Sequence, residues 1–236
     1  MESIIKVSKL SQKMGRRILL NEISFEVFPG ECFGVFGTRG TGKTSLLHIL
    51  AGLDRFTSGE VQIMGNNIRK SDKFKRDLGL VTQEKSLFRD LTVNENLDFI
   101  AALKQASRAD ISEMIESYEL NEFLSEPITA LDTMGVFQRL SLACAMLNRP
   151  KILILDEIIK DIDLYSRNLI LRELQKYQAE GGTCVCAFSN IDFCKYMSRI
   201  GWLEGGEVTL YEAEDARAEW SRQEKLYKEQ SGNYHV

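Results

Sequence analysis

The chain has 236 residues, of which 44% are hydrophobic and 27% are charged, enough for one large or two small domains with a substantial core. The formal net charge of −4 argues against a surface built to coat nucleic acid, so no nucleic-acid partner is expected. The N-terminus is not expected to be a signal peptide, and no stretch approaches the roughly 20 apolar residues needed to cross a bilayer.

The first third of the sequence is rich in predicted strands. Short runs of strand-forming residues are separated by turn signals, of which Pro29-Gly30 is the clearest. Residues 45–50 predict a helix. The predicted strands of this part are residues 4–7, 16–20, 24–27, 31–36, 61–63 and 78–82.

The remaining sequence alternates predicted helices and strands. Residues 92–95 form a capping box, after which apolar residues keep helical spacing. Residues 151–156 are a continuous apolar run, as expected for a strand covered on both faces. Residues 212–230 predict a charged helix with a thin apolar stripe at Ala216, Trp220 and Tyr227. The other predicted elements are helices at 111–118, 137–147 and 164–178, and strands at 183–188, 200–203 and 208–210.

The sequence contains five cysteines and two histidines. Cys184 and Cys186 are expected on one face of strand 183–188. A metal site there would need two more ligands, and none is evident nearby in the sequence. Buried free thiols are therefore the favoured interpretation.

Residues 37–44 match the phosphate-binding pattern G-x-x-x-x-G-K-[ST] between a predicted strand and a predicted helix. The glycines allow a tight turn that brings backbone N–H groups close to phosphates, at the N-terminus of the following helix. Lys43 is expected beside the β- and γ-phosphates, and the Thr44 hydroxyl is expected to hold Mg²⁺. An ordinary glycine-rich turn is disfavoured because strand, loop and helix agree. The expected nucleotide-binding residues are Gly37, Thr38, Arg39, Gly40, Thr41, Gly42, Lys43, Thr44 and Ser45.

Four apolar residues, 152–155, precede Asp156 and Glu157. After a phosphate loop, such a strand predicts that Asp156 supports Mg²⁺ and that Glu157 is the catalytic residue that orients and deprotonates an attacking water. The alternative is a solvated turn after a core strand.

With these motifs, the chain resembles the ATP-binding subunit of ABC transporters over about residues 1–211. Residues 79–83 resemble that family's Q-loop, which makes Gln83 a further candidate Mg²⁺ ligand. The remaining similar segments are 87–97, 138–143 and 147–157.

The resemblance implies an α/β fold: a P-loop NTPase core of ABC type, an N-terminal antiparallel β subdomain and an inserted helical subdomain at about 90–148. Residues 212–236 would form a charged C-terminal helix or tail. The implied cofactors are ATP and Mg²⁺. The implied partners are a second nucleotide-binding domain, identical or different, and separate transmembrane subunits that would hold the chain on the cytoplasmic face of the membrane. Leu87 and Phe88 are expected to be exposed contacts for those subunits, although both could instead be core.

The family's signature, Leu-Ser-Gly-Gly-Gln, corresponds here to residues 132–136. Thr133 can replace the serine hydroxyl and Gly135 keeps the second glycine, so both are candidate contacts to ATP bound by a partner. Met134 replaces the first glycine, where a side chain would crowd the γ-phosphate. Asp132 adds a negative charge, which is unfavourable beside a phosphate.

Two further family positions are changed. Met14 occupies the position of an aromatic residue that stacks on adenine, and a thioether can still pack on a ring. Asn190 replaces the switch histidine and is a second candidate catalytic residue, without a titratable imidazole.

These departures leave two functional alternatives. The chain could power or gate a transporter as a slow or asymmetric cassette, or as an ordinary ATPase with tolerated replacements. It could instead be a non-transport regulatory clamp that binds ATP and rarely hydrolyses it. A P-loop GTPase is disfavoured because the sequence lacks an Asn-Lys-x-Asp stretch.

Overall fold

The computed structural model describes residues 2–83, 86–131 and 133–232, with side chains described as far as residue 226. Its strands form two sheets. The strands are β1 (Ile5–Met14), β2 (Arg17–Val27), β3 (Cys32–Phe36), β4 (Ser58–Ile63), β5 (Asn66–Asn67), β6 (Leu78–Val81), β7 (Ile152–Asp156), β8 (Thr183–Phe188), β9 (Arg199–Glu204) and β10 (Glu207–Glu212). The α-helices are α1 (Lys43–Leu50), α2 (Val93–Lys104), α3 (Arg108–Ser117), α4 (Met134–Met146), α5 (Leu164–Ala179) and α6 (Ala213–Gly232).

The N-terminal sheet is antiparallel, with strand order β2-β1-β4-β5. The prediction of separate strands at 16–20 and 24–27 is wrong, because β2 is continuous from Arg17 to Val27. Lys9 and Glu22 have positive φ angles of 46° and 51°, and the pairing of β1 with β2 shifts register along this stretch. These bulges interrupt the alternating pattern, so one long strand resembles two short ones in the sequence.

The central sheet has strand order β10-β9-β3-β8-β7-β6. Strands β3, β6, β7, β8 and β9 are parallel to one another, while β10 pairs with β9 in the antiparallel sense. All residues of β3, β7 and β8 are buried. Since the carboxyl ends of parallel strands meet at one edge, the loops after β3, β6, β7 and β8 converge there.

Helix α1 packs between the two sheets. Its buried residues Leu46, Leu47 and Ile49 share a core cluster with β1 and β2, and with Phe33 and Val35 of β3. The opposite face of the central sheet packs against a second cluster that includes residues of α2, α4 and α5. The α/β architecture expected from the sequence is thus confirmed.

The helical stretch between β6 and β7 begins where the sequence predicted. Thr92 and Glu95 form the expected capping box at α2, with Thr92 Oγ1 accepting from the Glu95 N–H at 3.2 Å. Helix α4 begins at Met134 rather than at 137, so the segment resembling the signature provides its first turn.

Helix α6 confirms the predicted C-terminal helix. Ala216 is fully buried, and the Trp220 ring packs edge-on against Phe36 with centroids 5.4 Å apart. Phe36 is the last residue of β3, so α6 supports the strand that carries the phosphate loop. The Tyr227 side chain lies outside the described residues.

The cysteine prediction is confirmed. Cys184 and Cys186 are buried free thiols on β8, and Cys32 lies beside Cys184 on β3. No group of three His, Cys, Asp or Glu side chains suited to a metal ion occurs in the described part of the chain.

The prediction that Leu87 and Phe88 are both exposed is wrong for Leu87 and confirmed for Phe88. Leu87 is only 7% exposed and belongs to the core cluster with α2, whereas Phe88 is 46% exposed and packs edge-on against Phe99. Within residues 2–83, 86–131 and 133–232, no helix is both long and apolar enough to cross a membrane.

Candidate functional site

The loop between β3 and α1 is shaped by its glycines. Gly40 and Gly42 have φ angles of 82° and 105°, which other residues rarely adopt. A Cβ atom at Gly37 would lie 2.6 Å from the Leu203 carbonyl oxygen, so this position also excludes a side chain. The Leu46 N–H donates to the Gly42 carbonyl at 2.9 Å. The loop therefore leads directly into the first turn of α1, whose N-terminus favours an anion.

Lys43 is held inside this loop. Its side chain is 5% exposed, and its Nζ donates to the carbonyl oxygens of Gly37 at 2.8 Å and Thr38 at 3.1 Å. The same Nζ lies 3.3 Å from Glu157 Oε1. The loop itself is braced by Thr41, whose hydroxyl donates to the Thr38 carbonyl at 3.0 Å. A buried ammonium group thus lies between the loop and the end of β7.

Asp156 ends β7 and is 1% exposed. Burial raises the pKa of its carboxyl above the ordinary value, and the nearby Thr44 hydroxyl opposes that rise. Neither carboxylate oxygen has a well-formed hydrogen bond among the described residues. Such a buried group is costly unless it is paired. Carboxylate and hydroxyl oxygens are what Mg²⁺ prefers, so Asp156 and Thr44 fit this ion.

Glu157 follows immediately and adopts a left-handed conformation with φ 51°. Its N–H donates to the Ala187 carbonyl at 3.1 Å, which fixes the turn against β8. Its Oε1 accepts from the Ser189 hydroxyl, and its Oε2 lies 3.1 Å from Lys160 Nζ. Burial raises the pKa of Glu157, but Ser189, Lys160 and Lys43 together hold it below its usual range. The carboxylate is therefore ionised and closely surrounded by donors.

One cavity of about 240 Å³ joins most of the residues predicted from the sequence. Met14 lies at its rim and is 65% exposed, as expected for a side chain that would pack on a base. Gln83, which follows β6, also lines it. The other lining residues are Arg17, Leu19, Arg39, Gly40, Gly42, Lys43, Thr44, Ser45, Glu157 and Lys160.

Three of the contacts at this site were missed in the sequence. Ser189 directly follows β8, and the parallel pairing of Asp156 with Ala187 could have placed it near Glu157. Lys160 lies three residues after Glu157 in a tight turn. Arg17 pairs with Met14 across the β1–β2 hairpin and donates from Nη2 to the Gly40 carbonyl at 3.0 Å.

Thr133 and Gly135 lie apart from this cavity. Thr133 precedes α4 and is exposed, and its side chain makes no capping hydrogen bond. Gly135 is buried against Asp163 and Ser166 at the start of α5. Neither residue lines the cavity that the phosphate loop of the same chain borders. Asp132 lies outside the described residues.

Asn190 lies beside Glu157 in an adjoining cavity of about 290 Å³, which Lys160, Arg167 and Ser189 also line. Its side-chain oxygen accepts from the Asp192 N–H at 3.0 Å and caps the 3₁₀ helix Ile191–Tyr196. The amide is therefore already engaged in a local structural bond.

The family model described as "ABC transporter" matches residues 20–160, which is more than half of the chain. The chain belongs to the ABC transporter family. This confirms the resemblance inferred from the motifs.

Curated relatives differ in what they transport. The chain is 31% identical over 212 residues to a probable multidrug ABC transporter ATP-binding protein, YbhF, of Escherichia coli (strain K12). The aligned region is 88% of this chain and 36% of that protein. The chain is 34% identical over 206 residues to the methionine import ATP-binding protein MetN of Chlamydia pneumoniae, covering 81% of this chain and 60% of that one. The chain thus spans about a third to three fifths of the length of these relatives.

Solved structures share the fold. The ATP-binding cassette MJ0796, in a dimeric post-hydrolysis state bound to ADP and Pi, is 27% identical, with a TM-score of 0.81 over 89% of this chain and 98% of that one. An ATP-binding subunit of an ABC transporter has a TM-score of 0.83 at 22% identity, over 97% of this chain and 100% of that one. The expected ABC-type fold is confirmed.

Proposed function

We propose that this chain binds Mg-ATP and hydrolyses it slowly to power or gate a membrane transporter, through nucleotide-driven pairing of two such cassettes. The observation that carries the proposal is the convergence of the 37–44 loop, Asp156 and Glu157 in and around one cavity, with Lys43 between them. These groups supply a phosphate cradle, a cation and a carboxylate base, which is the equipment that phosphoryl transfer to water needs.

Within the site, each group has a separate task. The loop amides and Lys43 would bind the β- and γ-phosphates, which requires Lys43 to exchange the carbonyls of Gly37 and Thr38 for phosphate oxygens. Thr44, Asp156 and Gln83 would hold Mg²⁺, which when bound neutralises negative charge on the phosphates. Glu157 would direct a water at the γ-phosphate and accept its proton.

The separation of the two halves of the site supports pairing with a second cassette. Thr133 does not line the nucleotide cavity of its own chain. ATP would instead lie between the 37–44 loop of one chain and the 132–136 segment of the other. The partner could be identical or different, and a different partner with an unaltered signature would supply one better site. MJ0796, which shares this fold, is described as a dimer bound to ADP and Pi.

Transmembrane subunits are the proposed second partner, and they would keep the chain on the cytoplasmic face of the membrane. The support is the family and the relatives named as transport proteins. Phe88 is the exposed candidate contact, since Leu87 is buried.

A regulatory clamp without transport is the second candidate. It is favoured by Asn190, whose side chain is uncharged and already caps a 3₁₀ helix, and by Met134 at the position of a signature glycine. Such a chain would close on ATP and reopen rarely.

Titration of the purified chain with Mg-ATP tests the central proposal. Micromolar to low millimolar affinity is expected, and no detectable binding at millimolar nucleotide would refute it. Photocrosslinking in cells from position 88 separates the two candidates. Capture of a membrane-embedded protein supports the transporter, and recovery of soluble partners alone supports the clamp.

A further inference from the structure

Lys160 lines two cavities at once. Its side chain borders the nucleotide cavity together with Lys43, and the adjoining cavity together with Asn190. Its Nζ lies 3.1 Å from Glu157 Oε2, and 44% of the side chain is exposed. A partly exposed cation therefore lies beside the position that the terminal phosphate of ATP would take.

Two lysines and one hydroxyl contact the Glu157 carboxylate. Lys43 and Ser189 both contact Oε1, while Lys160 contacts Oε2. A bound triphosphate would draw Lys43 away and would bring several negative charges close to the carboxylate. Mg²⁺ would offset part of the repulsion between phosphate and carboxylate, and a cation on the same side of the phosphate as Glu157 would offset more of it.

Other polar groups are less suited to this task. Asn190 carries no charge, and its oxygen accepts from Asp192. The Arg167 guanidinium lies over the Phe193 ring, 5.8 Å from its centroid. Arg17 and Arg39 also line the nucleotide cavity, but Arg17 donates to the Gly40 carbonyl, and neither forms an ion pair with Glu157 among the described residues. Lys160 has no ion pair other than Glu157 in the part of the chain that the structure describes.

We propose that Lys160 moves from Glu157 to the terminal phosphate when ATP binds, and so makes the site select a triphosphate over a diphosphate. This inference rests on the proposed function. When Lys160 leaves, Oε2 loses its ion pair with Nζ and becomes open to a water molecule, whose proton it can accept. Lys160 thus supplies a positive charge beside Glu157, which the uncharged Asn190 amide cannot supply.

The test compares the affinities of wild type and Lys160→Met for a non-hydrolysable ATP analogue and for ADP, both with Mg²⁺. A lost charge-assisted contact predicts about tenfold weaker analogue binding, with ADP affinity within about twofold of wild type. Lys160→Arg should keep most of the discrimination. The matched control is Lys75→Met, because Lys75 is 41% exposed, pairs with Asp72 at the same spacing, and does not line the nucleotide cavity.

Equal weakening for both nucleotides, or no weakening, would overturn the role of Lys160. Thermal unfolding confirms that each variant is folded, and Lys160→Gln replaces Lys160→Met if the latter is not. Analogue binding by wild type in the same series tests the proposed function separately, since its absence would defeat that function whatever the variants do.

Discussion

Gly135→Ala tests how the segment resembling the signature is joined to the rest of the chain. Gly135 lies in the first turn of α4, and an added Cβ would collide with Asp163 Oδ2 and Ser166 Oγ and would lie 2.7 Å from Ser166 Cβ. The Asp163 side chain cannot simply rotate away, because its Oδ1 accepts from the Ser166 N–H at 2.8 Å and caps α5.

Three effects set the expected magnitude. Overpacking of a close helix contact costs about 1–3 kcal/mol. Displacing the Asp163 cap costs about 1 kcal/mol more. Replacing glycine by alanine inside a helix returns about 1 kcal/mol. The free energy of unfolding should therefore fall by about 1–3 kcal/mol, since the helix gain offsets only the lost cap.

Urea unfolding followed by circular dichroism measures this change, and the melting temperature should fall by about 2–4 °C for each kcal/mol. Thr133→Ala is the control, because Thr133 is exposed and caps nothing through its side chain; it should change stability by less than about 0.5 kcal/mol. Stability of Gly135→Ala equal to or above wild type would refute the packing argument.

Three further predictions concern the site and its support. Glu157→Gln should lower phosphate release at least about 100-fold while Mg-ATP affinity stays near wild type, and equal turnover would exclude Glu157 as the base. Asn190→His should raise turnover about tenfold, since an imidazole can carry a proton that an amide cannot; unchanged release, alone and with a partner, would contradict this. Burial lowers the pKa of Lys104 to about 8, so between about pH 8 and 10.5 the unfolded chain binds more protons and stability should rise with pH. Urea unfolding at both ends of that window should show wild type gaining about 2–3 kcal/mol over Lys104→Met, and parallel pH profiles would refute the shift.

The arrangement of the candidate site was largely predictable from the sequence, because its parts follow buried strands. An apolar run that ends in Asp156 and Glu157 indicates a strand whose carboxyl end carries both groups, and the phosphate loop follows β3 for the same reason. Parallel neighbours then bring these ends to one edge. The prediction that Gln83 and Met14 belong to the same site needed the family resemblance, since neither residue lies in a local sequence pattern that indicates such a role.

The contact that Lys160 makes with Glu157 was not predictable. Lys160 reaches Glu157 through a turn whose shape depends on the positive φ angles of Glu157 and Asp161, at 51° and 55°. Nothing in the residue types there demands that conformation. The continuity of β2 was missed for a related reason, because Glu22 adopts a left-handed conformation without being a glycine.

The short segment from Glu157 to Asp163 connects two features that the sequence presents as separate. At one end Lys160 pairs with Glu157, and at the other Asp163 packs against Gly135 while capping α5. We therefore expect a shift of α4 to displace Asp163 and, through this segment, the lysine that contacts the carboxylate. We expect Gly135→Ala to lower turnover by more than its loss of stability explains, measured at a temperature where both proteins are fully folded. Thr133→Ala lacks this route, so a change in its turnover without a change in stability would point to a contact with the partner's nucleotide instead.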